Sequence, residues 1–448
     1  MLSSRLLLES ACRMGPIEVS GTINKVVGLV VESSGPPAAV GDLCVIHGGR
    51  GDVMTEVVGL REEKVLSMAL GDMDGIKTGA KIELVGERAG VPVGFGLMGR
   101  VLNGKCEPID EKGPIEGAED MYPLRRQGLE PLKRGPIVEP IATGVKSIDA
   151  LATIGKGQRM GIFSGSGVGK SILLGMIARN TSADVNVVAL VGERGREVRE
   201  FLERDLGEEG LKRSVVFVST SDTPAPLKIR AAFAATSVAE FFRDIGLDVM
   251  LMMDSVTRLA MAQREIGLSA GEPPSTRGYP PSVFGMLPKL FERAGKKEGK
   301  GSITGLYTVL VEGDDLDEPV SDHCRSVLDG HIVLSRRLAN RGHYPAVDVL
   351  KSRSRVATSV ATEDHRAAAR AFRTVLAMHR DNEDLINIGA YKKGSNRLID
   401  YAMSKMSDFN QFLRQEPDEK GDFTSTVESL RFLVAEAPDE YEERHESV

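Results

Sequence analysis

The sequence predicts an α/β protein: a central, mainly parallel sheet, a small β-rich module before it and a helical region after it. Three observations carry this. Apolar runs of strand length alternate with helical patterns from about Ile141 to Ser354. Short β-branched runs broken by Gly and Pro turns come before that zone, and helical stripes come after it. At 448 residues the chain exceeds one hydrophobic core, so roughly two to four domains are expected.

In the first zone, from about Gly21 to Val85, the strand-like runs are Ile23–Val31, Leu43–His47, Met54–Leu60 and Ile82–Val85. This spacing suits a small β-barrel or a sandwich. Val91 to Pro140, rich in Pro, Gly and charge, reads as a connector with a hairpin or two.

In the middle zone the predicted strands are Met160–Ser164, Val185–Val191, Val215–Thr220, Val249–Asp254, Ile303–Val311 and His331–Leu334, with another over Val347–Leu350. A helix over Lys228–Ile245 carries one apolar stripe through Ala231, Ala234, Ala235, Val238, Phe241, Phe242 and Ile245. Alternating β and α elements give a parallel sheet covered on both faces.

In the last zone Thr362 is placed to cap a helix, with Glu363 and Asp364 in a first turn that favours acids. Leu398, Ala402, Met406, Phe409 and Leu413 make a second helical stripe. The acidic tail from Glu436 is expected to fray.

Composition narrows the function. With 41% hydrophobic and 27% charged residues the chain reads as soluble, and its net charge of -7 gives no support to duplex or polybasic membrane binding. No apolar stretch approaches a membrane span, and Met1 to Met14 lacks a signal-peptide layout. Cys12, Cys44, Cys106 and Cys324 are scattered, without zinc or redox spacing, as expected of reduced thiols in the cytoplasm.

The chemistry centres on Gly165-Ser166-Gly167-Val168-Gly169-Lys170-Ser171, between a strand and a helix. Small residues let the backbone wrap phosphates and aim N–H groups at them. Lys170 can reach the β- and γ-phosphates of ATP, and the Ser171 hydroxyl can ligate Mg²⁺. Ser164 occupies the position of the motif's first glycine. Asp254 ends an apolar strand, where ligands of such sheets bind, and is the expected carboxylate behind Mg²⁺. Glu193 also follows a strand, and hydrolysis needs a carboxylate to orient or deprotonate water. Arg194 beside it can meet phosphate charge. Arg353 and Arg355 are both candidate finger arginines, and pattern alone does not choose between them.

These residues stand inside longer strings that resemble the type III secretion and flagellar export ATPases, a family similar to the catalytic subunits of rotary ATP synthases. The strings are Thr143 to Leu151, Gly157 to Phe163, Gly192 to Phe201, Met253 to Arg258, Ala262 to Phe284 and Asp329 to Arg336. The likeness spans roughly Gly21 to Gln415. It implies an N-terminal β-barrel over residues 1–90, a RecA-like P-loop ATPase domain over 91–355 and a C-terminal helical domain over 356–448. It also implies a homohexamer with ATP between subunits, in which Arg355, in its Ser-Arg-Val context, is the neighbour's finger. Arg353 stands where the family usually has an apolar residue. Tyr344 matches the aromatic that packs on adenine, with a core tyrosine as the alternative.

By the same resemblance, hydrolysis would release chaperones from export cargo and unfold it at a membrane export gate. A stator-like regulator and a central stalk protein would be partners, holding the cytoplasmic ring at the inner membrane. Only about twenty residues precede the barrel, which puts stator binding through that segment in question. Gly394-Ser395-Asn396-Arg397 lacks the family's usual acid and proline. A rotary-synthase catalytic subunit is the alternative. A hexameric RNA translocase is disfavoured, because residues 1–90 contain no Phe, Tyr or Trp for stacking bases.

Overall fold

In this computed structural model residues 19–438 are described, apart from 50, 86–89, 119, 312 and 314. Cys12, the N-terminal segment and the tail beyond 438 lie outside the described residues. The first strands are β1 (Ser20–Val27), β2 (Val30–Ser34), β3 (Leu43–Gly48), β4 (Gly51–Arg61), β5 (Lys64–Ala69) and β6 (Lys81–Leu84). They close into an antiparallel barrel in the order β1-β2-β5-β4-β3-β6. Alternate residues such as Ile23, Val31, Ile46, Val57 and Ile82 fill it. The predicted run Ile23–Val31 is two strands, not one. Gly28, at φ +56°, turns the chain between Val27 and Val30. Periodicity missed this hairpin because Leu29 in its turn is apolar.

The connector holds a two-stranded pair, β7 (Gly90–Val93) with β9 (Asp120–Pro123). Between them β8 (Val101–Asn103) joins the edge of the main sheet. That sheet is built from β10 (Arg159–Ser164), β11 (Val185–Glu193), β12 (Ser214–Thr220), β13 (Asp248–Asp254), β15 (Ser302–Leu310) and β16 (Gly330–Val333). Its order is β17-β16-β10-β15-β13-β11-β12-β8, parallel except at β17 (Arg353–Ser354), with β14 (Gly295–Lys296) antiparallel beside β15. The predicted strand Val347–Leu350 shrinks to one antiparallel bridge, Val347 with Leu334, followed by a turn. Asp348 accepts bonds from the amides of Leu350 (3.2 Å) and Lys351 (3.3 Å), a local alternative to strand pairing.

Helix Ala225–Asp244 also departs from expectation. It is buried nearly all round rather than along one stripe, because the sheet, the β7/β9 pair and helix Val256–Ser269 enclose it. Its C-cap Ile245 is instead exposed. Glu240 on this helix is fully buried and receives both Nε (3.1 Å) and Nη2 (2.8 Å) of Arg293.

Among the described residues three long helices, Glu363–Asp381, Arg397–Leu413 and Phe423–Leu433, and the short helix Glu383–Asn387 form the C-terminal part. Thr362 caps the first, accepting from the His365 amide at 3.3 Å. Asn396 caps the second, accepting from the Ile399 amide at 2.9 Å, so that turn closes without the family's usual residues. Leu398, Ala402, Phe409 and Leu413 are buried and Met406 half-buried, as a helical stripe requires. Phe372 stacks on Phe409 at 4.1 Å. The helices dock on the Thr143–Leu151 segment, where Gln415 donates to the Gly144 carbonyl (2.7 Å) and accepts from the Lys146 amide (2.8 Å).

The Arg293–Glu240 pair yields the first prediction. Glu240→Ala strands a buried guanidinium and should destabilise the protein by about 3–5 kcal/mol. Chemical denaturation followed by circular dichroism measures it; a loss under about 1 kcal/mol would show that the pair is not a structural anchor.

Candidate active site

The C-terminal ends of parallel strands all point one way, so residues at those ends meet on one edge of the sheet. Phosphate-loop residues Gly165–Gly169 leave β10 there and enter helix Lys170–Asn180. Gly167 (φ +77°) and Gly169 (φ +92°) adopt left-handed conformations that glycine tolerates best. Ser166 and Gly167 are exposed, while Val168 is buried and anchors the loop. Ser164 still belongs to β10, and its carbonyl accepts from the Val311 amide at 2.9 Å. Its backbone is extended, so the motif's first glycine is not needed there.

Three charged groups converge behind the loop. Lys170 Nζ contacts the Asp254 carboxylate and lies 3.5 Å from Glu193 Oε1. Thr308 Oγ1 donates to the same Asp254 oxygen at 2.8 Å, fixing its direction. Glu193 reaches this cluster through a bulge. Pairing of β11 with β12 slips between Val191 and Glu193, at Gly192 (φ +76°). A slip of one residue moves a side chain to the opposite face of a strand. Gly192 is required twice over: a β-carbon there would stand 2.7 Å from that of Arg258.

Electrostatics separates the two acids. Burial, reinforced by the Asp254 charge, pushes Glu193 up to about 7, and Lys170 only partly opposes this. Burial works against the Lys170 charge, but Asp254 and Glu193 outweigh it and hold the ammonium above its ordinary range. The Ser171 hydroxyl is half-buried and makes no hydrogen bond among the described residues. Together with the oriented Asp254 carboxylate it is a pair of hard oxygen donors that fits Mg²⁺.

The other predicted residues fall outside this cluster. The Arg194 side chain is 80% exposed and lies 3.7 Å from Glu197. Tyr344 is 45% exposed, so it is not a core residue, and a β-carbon at Gly169 would be 3.5 Å from its ring. Arg355 lies at the other end of the sheet. Its amide donates to the Asp329 carbonyl (2.9 Å), and the Asp329 amide donates to Arg159, where β10 begins. Among the described residues its exposed guanidinium donates only to the Arg325 carbonyl, at 3.2 Å. Arg353 is exposed and makes no side-chain hydrogen bond among the described residues.

The sequence reading missed Thr308, whose signal is a hydroxyl inside an otherwise apolar strand. It also missed Arg258, whose stem covers Gly192.

Comparison with known proteins agrees with this layout. Residues 144–354 match the ATP synthase alpha/beta family nucleotide-binding domain, 23–86 its beta-barrel domain and 361–431 the T3SS EscN ATPase C-terminal domain. The flagellum-specific ATP synthase of Bacillus subtilis is 54% identical over 92% of this chain and 95% of its own length. The type 3 secretion system ATPase of Sinorhizobium fredii is 47% identical over 94% of this chain and 93% of its own. The chain belongs to the flagellar and type III secretion ATPase family. Among solved structures, the assembled ATPase EscN in complex with its central stalk EscO, from enteropathogenic E. coli, superposes with a TM-score of 0.85. It is 41% identical and covers 92% of this chain and 100% of that one. As a member of this family the protein is an ATPase of the flagellar and type III export systems. The three-part architecture expected from the resemblance is the one observed.

The raised Glu193 predicts a pH dependence for the nucleotide-free ATPase. A carboxyl neutral in the fold but charged when unfolded contributes stability at low pH, and that contribution is lost as pH rises from about 4.5 to about 7. Glu193→Gln abolishes this loss. Its thermal stability relative to wild type should therefore improve between about pH 4.5 and pH 8, by at most about 3 kcal/mol. A difference that does not change with pH would remove the basis for a protonated Glu193.

Proposed function

We propose that this chain assembles into a homohexamer that hydrolyses Mg-ATP between subunits to drive protein export, in a flagellar or type III system. The observation that carries the reading is the division of the site. Lys170, Glu193 and Asp254 converge in one subunit, whereas Arg355 faces outward at the opposite end of β10. An arginine so placed can reach only another subunit's nucleotide.

In this scheme the backbone N–H groups of Gly165–Gly169 hold the phosphates, and Lys170 leaves Asp254 to meet the β- and γ-oxygens. Ser171 and Asp254 would hold Mg²⁺, which when bound neutralises charge on the same oxygens. Glu193, already biased towards accepting a proton near neutral pH, aligns the attacking water. Arg355 of the neighbour stabilises the charge that develops in transfer, and Tyr344 packs on adenine. Arg194, exposed at the rim, meets phosphate charge once the interface closes.

The ring itself is supported by the assembled EscN structure, and its complex with EscO supports a central stalk partner here. Export chaperones, a stator-like regulator and the export gate are the further partners we propose. Hydrolysis would release and unfold their cargo. Among the described residues no helix is long and apolar enough to cross a membrane. We therefore place the ring in the cytoplasm, held at the inner membrane by its partners.

Specific ATPase activity should rise with protein concentration as rings form. Lys170→Ala and Glu193→Gln should each abolish turnover with circular dichroism unchanged. Arg355→Ala should cost about 10³–10⁵ in rate. Mixing it with Glu193→Gln should restore part of the activity, because some interfaces then pair an intact Glu193 with an intact Arg355. No recovery from mixed, co-assembled subunits would exclude a shared site. Co-purification of export chaperones and a stator, rather than rotary-synthase subunits, tests the cellular role.

A further inference from the structure

The segment carrying Arg355 also borders a cavity of about 710 Å³, between β16/β17 and helix Glu363–Asp381. Its charge is strongly one-sided. Lys351, Arg353, Arg366, Arg370 and Arg373 line it, against Glu363 as the one acid. None of the five forms an ion pair among the described residues. Arg366 donates to the Thr358 carbonyl at 3.1 Å, and Arg373 to the Ser352 carbonyl at 3.2 Å and to that of Leu151. Lys351, Arg353 and Arg370 make no side-chain hydrogen bond among the described residues.

Such a grouping needs an explanation, because like charges in one cavity repel and folding alone gains nothing from them. Neutral carbonyls orient Arg366 and Arg373; burial works against the Arg373 charge, and the Asp348 carboxylate offsets this only in part. His331 also lines the cavity. Burial holds it below its ordinary pKa against a hydrogen bond to the Lys351 backbone, and the positive field of Arg325, Arg355 and Arg353 adds to the lowering, so it adds hydrogen-bonding capacity rather than charge.

We propose that this cavity is a binding site for a phosphate-class oxyanion, separate from the phosphate loop. Guanidinium groups match the geometry of phosphate oxygens, and fixed Arg366 and Arg373 with free Arg353 and Arg370 can surround a tetrahedral anion. A volume of this size also admits a small phosphorylated molecule. The ligand is therefore either free phosphate, such as the product of hydrolysis, or the phosphoryl group of a small ester. Arg353 acquires a role here that the finger reading did not give it.

The test is equilibrium binding by titration calorimetry, with inorganic phosphate and glycerol 3-phosphate as probes. Lys170→Ala protein is used throughout, so that the phosphate loop contributes little. That protein should bind one anion per chain. Adding Arg353→Gln and Arg370→Gln, both exposed positions, should weaken binding by about tenfold or more. Adding Arg196→Gln and Arg199→Gln instead, which remove the same charge elsewhere, should leave it unchanged. Tighter binding of phosphate identifies free phosphate as the ligand, and tighter binding of the ester a phosphorylated molecule; either supports the site. Absence of saturable binding, or equal loss in the two double substitutions, would overturn it. Because the cavity lies within one subunit, these outcomes do not depend on ring assembly.

Discussion

A single buried ammonium group organises the candidate site. Lys170 Nζ stands between two carboxylates carried by different strands, Asp254 at the end of β13 and Glu193 after the bulge in β11. Taking one cation and two acids out of water is costly unless each is held in place. Thr308 holds Asp254, the left-handed Gly169 starts the helix that presents Lys170, and Gly192 re-aims Glu193. With one ammonium for two carboxylates, the cluster cannot be neutral with both acids ionised, and Glu193 rises. This residual imbalance suits the role proposed for the site, in which it would admit a metal ion and polyphosphate and then activate water.

The helical domain is tied to the same edge of the sheet. The Leu334 amide donates to Phe163 beside the phosphate loop (2.8 Å), and the chain then forms helix Arg336–Asn340 and reaches Tyr344. Arg341 at the C-cap of that helix bonds Glu383 (3.0 Å), Arg380 bonds Asp348 (3.0 Å), and the Gln415 amide bonds the Tyr344 carbonyl (3.0 Å). The exposed ring beside Gly169 is thus positioned by contacts from C-terminal helices. Displacement of those helices would be felt at Tyr344, beside the phosphate loop, through short, polar connections.

Several strings that carry the family resemblance turn out to be structural devices. In Thr143–Leu151, buried Asp149 accepts from the amides of Thr143 (2.9 Å) and Gly144 (3.0 Å). Asp329 takes Nε of Arg159 at 2.9 Å and Nη2 at 3.0 Å, joining β10 to the segment before β16. Such residues support the site without touching it. Strong likeness over a long stretch therefore shows common architecture more directly than it shows which side chains act.

What the sequence determined alone was local. A strand, a glycine-rich turn ending in Lys170-Ser171 and a helix in succession point to a phosphate loop, and acids at the C-terminal ends of parallel strands reach the same edge. The barrel hairpin at Gly28 and the turn at Asp348 escaped because an apolar turn and an apolar loop imitate strands. Tertiary structure decided what depends on relations between distant segments. Among these are the bulge that brings Glu193 to Lys170, the burial that raises it, and the enclosure of Ala225–Asp244. Placement of Arg355 at the far end of β10 belongs with them. Each depends on which face a side chain occupies and what charge lies across from it, and periodicity along one chain contains neither.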